Sequence, residues 1–177
     1  MGVSQIISKD LDMLPEIKKI LYSTDLSKSS TTVFEQVIYL AKKTNADIHI
    51  LHVVEKLSSD AKITLESYVM DSTSRKSLLQ ERTALAKKKL EERQEYFWNK
   101  LDDDECAVRH QIKSIQIVEA YPAETILKTS IKLDVDLIVM GTHEKGMLHS
   151  FLGSVAKNVL SRSHIPMLIV PLPLKEG

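Results

Sequence analysis

Apolar residues along this chain follow two alternating rhythms. Some form short runs with little polar interruption, and others recur every three or four positions. A short apolar run bounded by turn residues predicts a strand buried on both faces, and a 3.6-residue period predicts a helix buried on one side. Ile17 to Asp25 predicts a first strand that stops at a polar turn. Val33, Val37, Leu40 and Ala41 predict a helix ending near Thr44. Ser27 to Ser30 offer N-caps for it, and Thr32-Val-Phe-Glu35 fits a capping box. Ile48 to Val54 predicts a second strand.

Residues 55–76 carry no clear period, with isolated apolar residues among Ser, Asp and Lys; they read either as a long surface connection or as a flap over a site or partner. From Ser77 to Leu101 the helical period returns, with Leu79, Thr83, Ala86, Leu90, Phe97 and Leu101 on one face. Phe97 and Trp98 near its end read as core or interface residues. Val108 to Val118 predicts a third strand, and its alternation slips between Ile112 and Ile115, which predicts a bulge. Tyr121-Pro122-Ala-Glu124 opens a further helix, with proline at the first helical position and Ile126, Leu127 and Ile131 as the buried stripe. Leu137 to Met140 predicts a fourth strand, Ser154 to Arg162 a last helix, and Ile165 to Val170 a fifth strand. Pro166 and Pro171 mark that strand as an edge. Strands alternating with helices predict an α/β fold, a parallel sheet covered on both faces. In such sheets ligands gather at the carboxyl ends of the strands.

A length of 177 residues suits one domain, expected over 17–171, with a flexible arm over 1–16 and a tail over 172–177. Net charge is zero, so no overall field draws the chain to nucleic acid or to an anionic membrane. Lys87-Lys88-Lys89 is followed by Glu91, Glu92 and Glu95, which reads as a solvated helix face. Asp102 to Glu105 are four consecutive acids. Consecutive carboxylates diverge, so this run reads as a solvated turn, and no metal site is expected. Cys106 is the single cysteine, no apolar run approaches the ~20 residues of a membrane span, and no secretory pattern is visible. A cytoplasmic location is therefore the expectation.

Candidate chemistry concentrates near the end of the chain. Of the five glycines, Gly2 and Gly177 are terminal, and Gly141, Gly146 and Gly153 all fall in one connection between a strand and a helix. Glycine permits positive φ or a close approach to the backbone. A helix start offers free N–H groups and the positive end of the macrodipole, so the connection reads as a phosphate cradle. Two known phosphate motifs do not fit. Met147-Leu148 follow Gly146 where a P-loop needs Lys-Ser/Thr, and no glycine follows the first strand, where a dinucleotide fingerprint belongs. His143, His149, Ser150 and Ser154 lie close in sequence, but no Gly-x-Ser-x-Gly elbow frames a nucleophile, so no catalytic residue is assigned.

Four segments together resemble the universal stress protein family: Ile20-Leu-Tyr-Ser-Thr-Asp25, Leu51-His-Val53, Pro122-Ala-Glu124, and Leu137-Ile-Val-Met-Gly-Thr-His143 through Gly153-Ser-Val-Ala to Pro166-Met-Leu-Ile-Val170. The resemblance spans roughly Ile17 to Pro171 and is weakest across residues 55–107. It implies a doubly wound, Rossmann-like five-stranded sheet in the order 3-2-1-4-5 and a homodimer paired through Met167 to Val170. It further implies a stress-response protein without a general catalytic role, many of whose relatives bind ATP. The implied nucleotide site comprises Ser23, Thr24 and Asp25, Val53, Met140, Gly141, His143, Lys145, Gly146, Gly153, Ser154 and Val155. Asp25 would hold the ribose and Val53 the adenine, with Mg²⁺ expected only beside ATP. The chain departs from the family loop Gly-x2-Gly-x9-Gly-Ser/Thr at Glu144, which replaces the second glycine, and in a spacer one residue short. A carboxylate there repels a triphosphate by on the order of 1 kcal/mol if partly desolvated, so an adenosine- or AMP-like ligand is easier to accept than ATP. Two alternatives remain: a nucleotide-independent interaction protein using residues 55–101, and a weak ATP hydrolase.

Overall fold

The computed structural model describes residues 15–69, 71–101, 106–142 and 152–172. Residues 1–14 of the expected arm, the acidic run Asp102–Glu105, most of the glycine connection and the tail after Leu172 lie outside the described residues.

The first strand, β1 (Lys19–Thr24), leads to α1 (Ser30–Thr44), β2 (Asp47–Glu55), α2 (Ser59–Tyr68) and α3 (Ser72–Trp98). A 3₁₀ turn (Ala107–Gln111) then leads to β3 (Ile112–Ala120), α4 (Pro122–Leu133), β4 (Leu137–Gly141), α5 (Ser154–Arg162) and β5 (Met167–Val170). Among the described residues the strands form one sheet in the order β3-β2-β1-β4-β5, and every neighbouring pair is parallel. The fold is the doubly wound sheet in the expected order.

Two cores follow from the strand pleat, which sends successive side chains to opposite faces. Ile20, Tyr22, Ile48, Ile50 and Val139 pack with Val33, Phe34 and Val37 of α1 and with Leu90, Phe97 and Trp98 of α3. Leu21, Leu51, Ile138 and Met140 pack with Ile126 of α4 and with Ala156 and Val159 of α5. Asp136 ties the frame at its base. One carboxylate oxygen accepts from the backbone N–H groups of Lys18 and Lys19, each at 2.8 Å, which fixes where β1 begins.

Several boundaries differ from the expectation, each for a local reason. Helix α1 begins at Ser30, so Thr32 lies inside its first turn and the Thr32–Glu35 capping box does not form. Helix starts follow backbone geometry: the Ser30 N–H bonds to the Ser27 carbonyl at 3.2 Å, and Ser29, the N-cap residue, makes no capping bond through its side chain. The stretch read as a connection or flap contains α2, capped by Ser58 Oγ accepting from the Ala61 N–H at 3.2 Å. None of its residues is buried, which is why no period shows there. Asp71 Oδ2 accepts from the Ser74 N–H at 2.7 Å and starts α3 five residues before the period becomes visible. Residues 107–111 are a 3₁₀ turn, held where Gln111 Nε2 donates to Asn45 Oδ1 at 2.9 Å. The bulge is present: Ile48 faces Ile112 while His49 faces Ser114, leaving Lys113 as the extra residue. On α4, Ile131 is 72% exposed, and Ser130 takes the place facing the sheet. Ser130 tolerates burial because its hydroxyl donates to the Leu127 carbonyl at 2.8 Å within the helix.

Candidate functional site

The carboxyl ends of β1, β2 and β4 and the start of α5 frame a cleft of about 650 Å³. Its geometry begins with the way the chain leaves β1. Leu26 has φ of 57°, a left-handed conformation that costs a leucine roughly 1–2 kcal/mol. Two side chains hold the turn: Thr24 Oγ1 accepts from the Leu26 N–H at 3.1 Å, and Asp25 Oδ1 accepts from the Ser27 N–H at 2.9 Å. The Leu26 side chain is buried, which offsets the strain by about 1.5–3 kcal/mol. This turn sets the Asp25 carboxylate on the cleft lining with only one oxygen engaged by a described residue.

Beneath it, Ser23 is 9% exposed and lines the cleft, and its hydroxyl has no hydrogen-bond partner among the described residues. Tyr22 adds a neutral floor. Its hydroxyl donates to the Ser30 carbonyl at 2.9 Å, and burial is the main reason its pKa is pushed up to about 12. At the end of β2, Val53 and His52 point to opposite faces of the sheet, and both reach the cleft. His52 Nδ1 lies 2.7 Å from the Thr24 carbonyl oxygen, joining β1 and β2 at their ends.

At β4, Gly141 is a glycine for want of room. A Cβ there would lie 2.8 Å from Val33 Cγ2 and 3.3 Å from Leu172 Cδ1. Neither Gly141 nor Gly153 has positive φ. Thr142, next along, is buried, and its Oγ1 accepts from the Leu172 N–H at 2.8 Å. Gly153 is the N-cap of α5, with φ −61° and ψ 158°. The first N–H groups of α5 have no intrahelical partner, as at any helix start, and Gly153, Ser154 and Val155 all line the cleft.

The structure therefore brings together Ser23, Thr24, Asp25, Val53, Met140, Gly141, Gly153, Ser154 and Val155, nine of the expected site residues, on one surface. His143, Lys145 and Gly146 lie outside the described residues, as does Glu144. The sequence reading passed over His52, Glu55, Thr142 and Lys157, which also line the cleft. For His52 the signal was available, because it stands beside Val53 at a strand end. Lys157 becomes legible only once α5 is placed. Among the described residues no group of three or more His, Cys, Asp or Glu could hold a metal ion, and no helix is long and apolar enough to cross a membrane.

Comparison with known proteins gives a consistent picture. The family model described as the universal stress protein family matches residues 16–171. Universal stress protein MJ0531 of Methanocaldococcus jannaschii is 32% identical over 161 residues, covering 90% of this chain and 85% of that protein. Universal stress protein MJ0577 of the same organism is 31% identical over 157 residues, covering 86% and 94%. The solved structure of MJ0577 superposes with a TM-score of 0.64 at 26% identity, covering 90% of this chain and 99% of that one. A universal stress protein solved in complex with cAMP shares the fold, with a TM-score of 0.52 at 19% identity over 90% of this chain and all of that one.

Proposed function

The chain belongs to the universal stress protein family, and from that premise we propose that it binds an adenine nucleotide in the cleft at the carboxyl ends of β1, β2 and β4. The observation that carries this reading is the convergence of nine residues, from four separate segments of chain, onto one cleft of about 650 Å³. The Asp25 oxygen that no described residue engages takes ribose hydroxyls, Val53 packs on the adenine, and the N–H groups that open α5 take phosphate. A protein of this fold has been solved with cAMP, an adenine mononucleotide. Among the described charged groups on the lining, Asp25 and Glu55 are acidic and Lys157 is basic. Each additional phosphate charge meets repulsion from these acids on the order of 1 kcal/mol. The preferred ligand is accordingly a monophosphate such as AMP rather than ATP, and Mg²⁺ accompanies only the triphosphate.

The role is binding rather than turnover, in a cytoplasmic stress-response homodimer. The strand β5 pairs with β4 on one side and leaves its other edge for the Met167–Val170 strand of a second copy.

Mass spectrometry of ligands released by heat, backed by titration with ATP, ADP and AMP, tests the reading. A stoichiometric adenine nucleotide is expected, with Asp25→Ala weakening binding at least tenfold, about 1.4 kcal/mol. No released nucleotide and no binding at millimolar concentration would sink it. A second reading has its own support: α2 buries none of its residues, and Ile63, Tyr68, Leu78 and Leu85 are exposed along α2 and α3. Under that reading residues 55–101 contact protein partners without nucleotide, and Asp25→Ala leaves partner capture unchanged.

A further inference from the structure

We propose that His52 sets the charge preference of the cleft, favouring an uncharged nucleoside when its ring is neutral and an anionic nucleotide when the ring is protonated. The inference rests on the adenine-binding reading above and adds to it a residue and a pH dependence.

The ring stands opposite Thr24 in the β1–β2 register, with Nδ1 2.7 Å from the Thr24 carbonyl oxygen. A carbonyl oxygen only accepts, so Nδ1 carries the proton whenever this bond is made. One variable is left, the state of Nε2. His52 is half-buried and lines the cleft, and Nε2 has no hydrogen bond to a described residue. In the neutral ring Nε2 is a bare acceptor, suited to a ligand hydroxyl or amino group. In the charged ring it is a second N–H donor carrying positive charge, suited to a phosphate oxygen. Histidine is the side chain that makes this change between about pH 5 and 8.

The charged groups around it come from several elements, and Arg93 of α3 lies beside Tyr22 and Thr24, with Nη1 donating to the Lys28 carbonyl at 3.4 Å. Asp25 follows β1 and Glu55 ends β2, both on the cleft lining, while Lys157 faces in from α5 and the Tyr22 phenol stays neutral. Glu119 lies on β3, paired with Val54, and Arg82 reaches down from α3. Arg82 Nη2 donates to the Glu55 carbonyl at 2.7 Å, and its Nη1 lies 3.6 Å from Glu119 Oε1. Glu119 and Arg82 are thus paired with each other, and Lys157 and His52 are the described cleft-lining side chains able to present positive charge to a ligand. Of these two, only the imidazole of His52 can also present a neutral acceptor to a ligand.

Adenosine and cyclic AMP are suitable probes, because neither changes charge between pH 5.5 and 8. The full chain is titrated with each by calorimetry across that range, as wild type and as His52→Gln, which keeps a polar side chain and has no imidazole. In the wild type the ratio of adenosine Kd to cyclic AMP Kd rises about tenfold from pH 8 to pH 5.5, equivalent to about 1.4 kcal/mol. In His52→Gln it stays within about twofold. An NMR titration of the His52 ring nitrogens gives a check that needs no variant. By linkage, cyclic AMP raises the pH at which the ring titrates and adenosine lowers it. A pH-independent ratio in the wild type, or the same slope in His52→Gln, removes the role of His52 and leaves nucleotide binding standing. Failure of both probes to bind at any pH removes both.

Discussion

At the carboxyl end of the sheet, three strands, each held by backbone pairing on both sides, and one helix start deliver side chains to a single cleft. Between β2 and β3, by contrast, α3 packs on the core of the same sheet along only part of its length, and α2 does not enter it. Helix α3 is fixed at its C-terminal half, where Ala86, Leu90, Phe97 and Trp98 are buried. Phe34, on α1, meets the Phe97 ring at 4.7 Å and the Trp98 ring at 5.9 Å, both edge to face. Arg82 adds one polar tie at the Glu55 carbonyl. Toward its N-terminus α3 exposes Leu78 and Leu85, and α2 buries nothing. An isolated helix shorter than about 12–15 residues is marginal in water. The ten residues of α2 therefore depend on their caps and on whatever they touch. Cooperative packing defines the cleft, while the helical pair is anchored at one end.

The sharpest test compares truncations in the two halves of α3. Phe97→Ala removes one buried ring of the aromatic cluster and should cost about 3–5 kcal/mol in urea denaturation. Leu85→Ala should change stability by no more than about 0.5 kcal/mol. Equal losses at both positions would mean that the N-terminal half of α3 is also packed. A second test probes the cleft wall. Gly141→Ala forces a Cβ to within 2.8 Å of Val33 and should destabilise the protein by about 1–3 kcal/mol. Adding Val33→Ala should recover part of that loss, because the smaller side chain removes the clash. Without any recovery, the glycine would be required for a reason other than room.

The smallest expected effect lies deeper in the frame, at His49. Its Nδ1 is 2.8 Å from Ser114 Oγ, and burial is the main reason its pKa lies below the usual value of 6.5. The unfolded chain then binds the proton more readily than the folded one. Stability from this group is present above pH 6.5 and is lost as pH falls from there through the folded-state value. Urea midpoints measured from pH 7.5 to pH 5 should fall more steeply for the wild type than for His49→Gln. Parallel curves would assign the acid sensitivity elsewhere.

The parts most legible in the sequence are those whose residues are buried. Ile20 to Tyr22, Ile48 to Leu51 and Leu137 to Met140 read as strands because both faces are covered and their apolar runs are nearly unbroken. The bulge near Lys113 showed as a slip in alternation, for the same reason. Helix α2 was illegible because a helix that buries no face imposes no period. The early start of α3 rests on one hydrogen bond at Asp71, and an aspartate in a polar stretch reads equally well as loop. Ile131 misled because apolar character suggested burial, whereas the rotation of α4 between Ile126 and Ser130 decides which residue meets the sheet.

The chain order of the strands and of the helices that bury a face, the two-faced burial of the sheet and the candidate residues at the strand ends were determined by the sequence alone. Each follows from local periodicity, or from motifs short enough to read along the chain. Tertiary structure decided which of those residues meet. It brought Asp25, Val53, Gly141 and Ser154 to one cleft, added His52 and Lys157 to its lining, and made Gly141 a matter of room beside Val33. The physical reason is that convergence depends on strand order and helix placement, which pair segments more than a hundred residues apart and leave no local pattern in either.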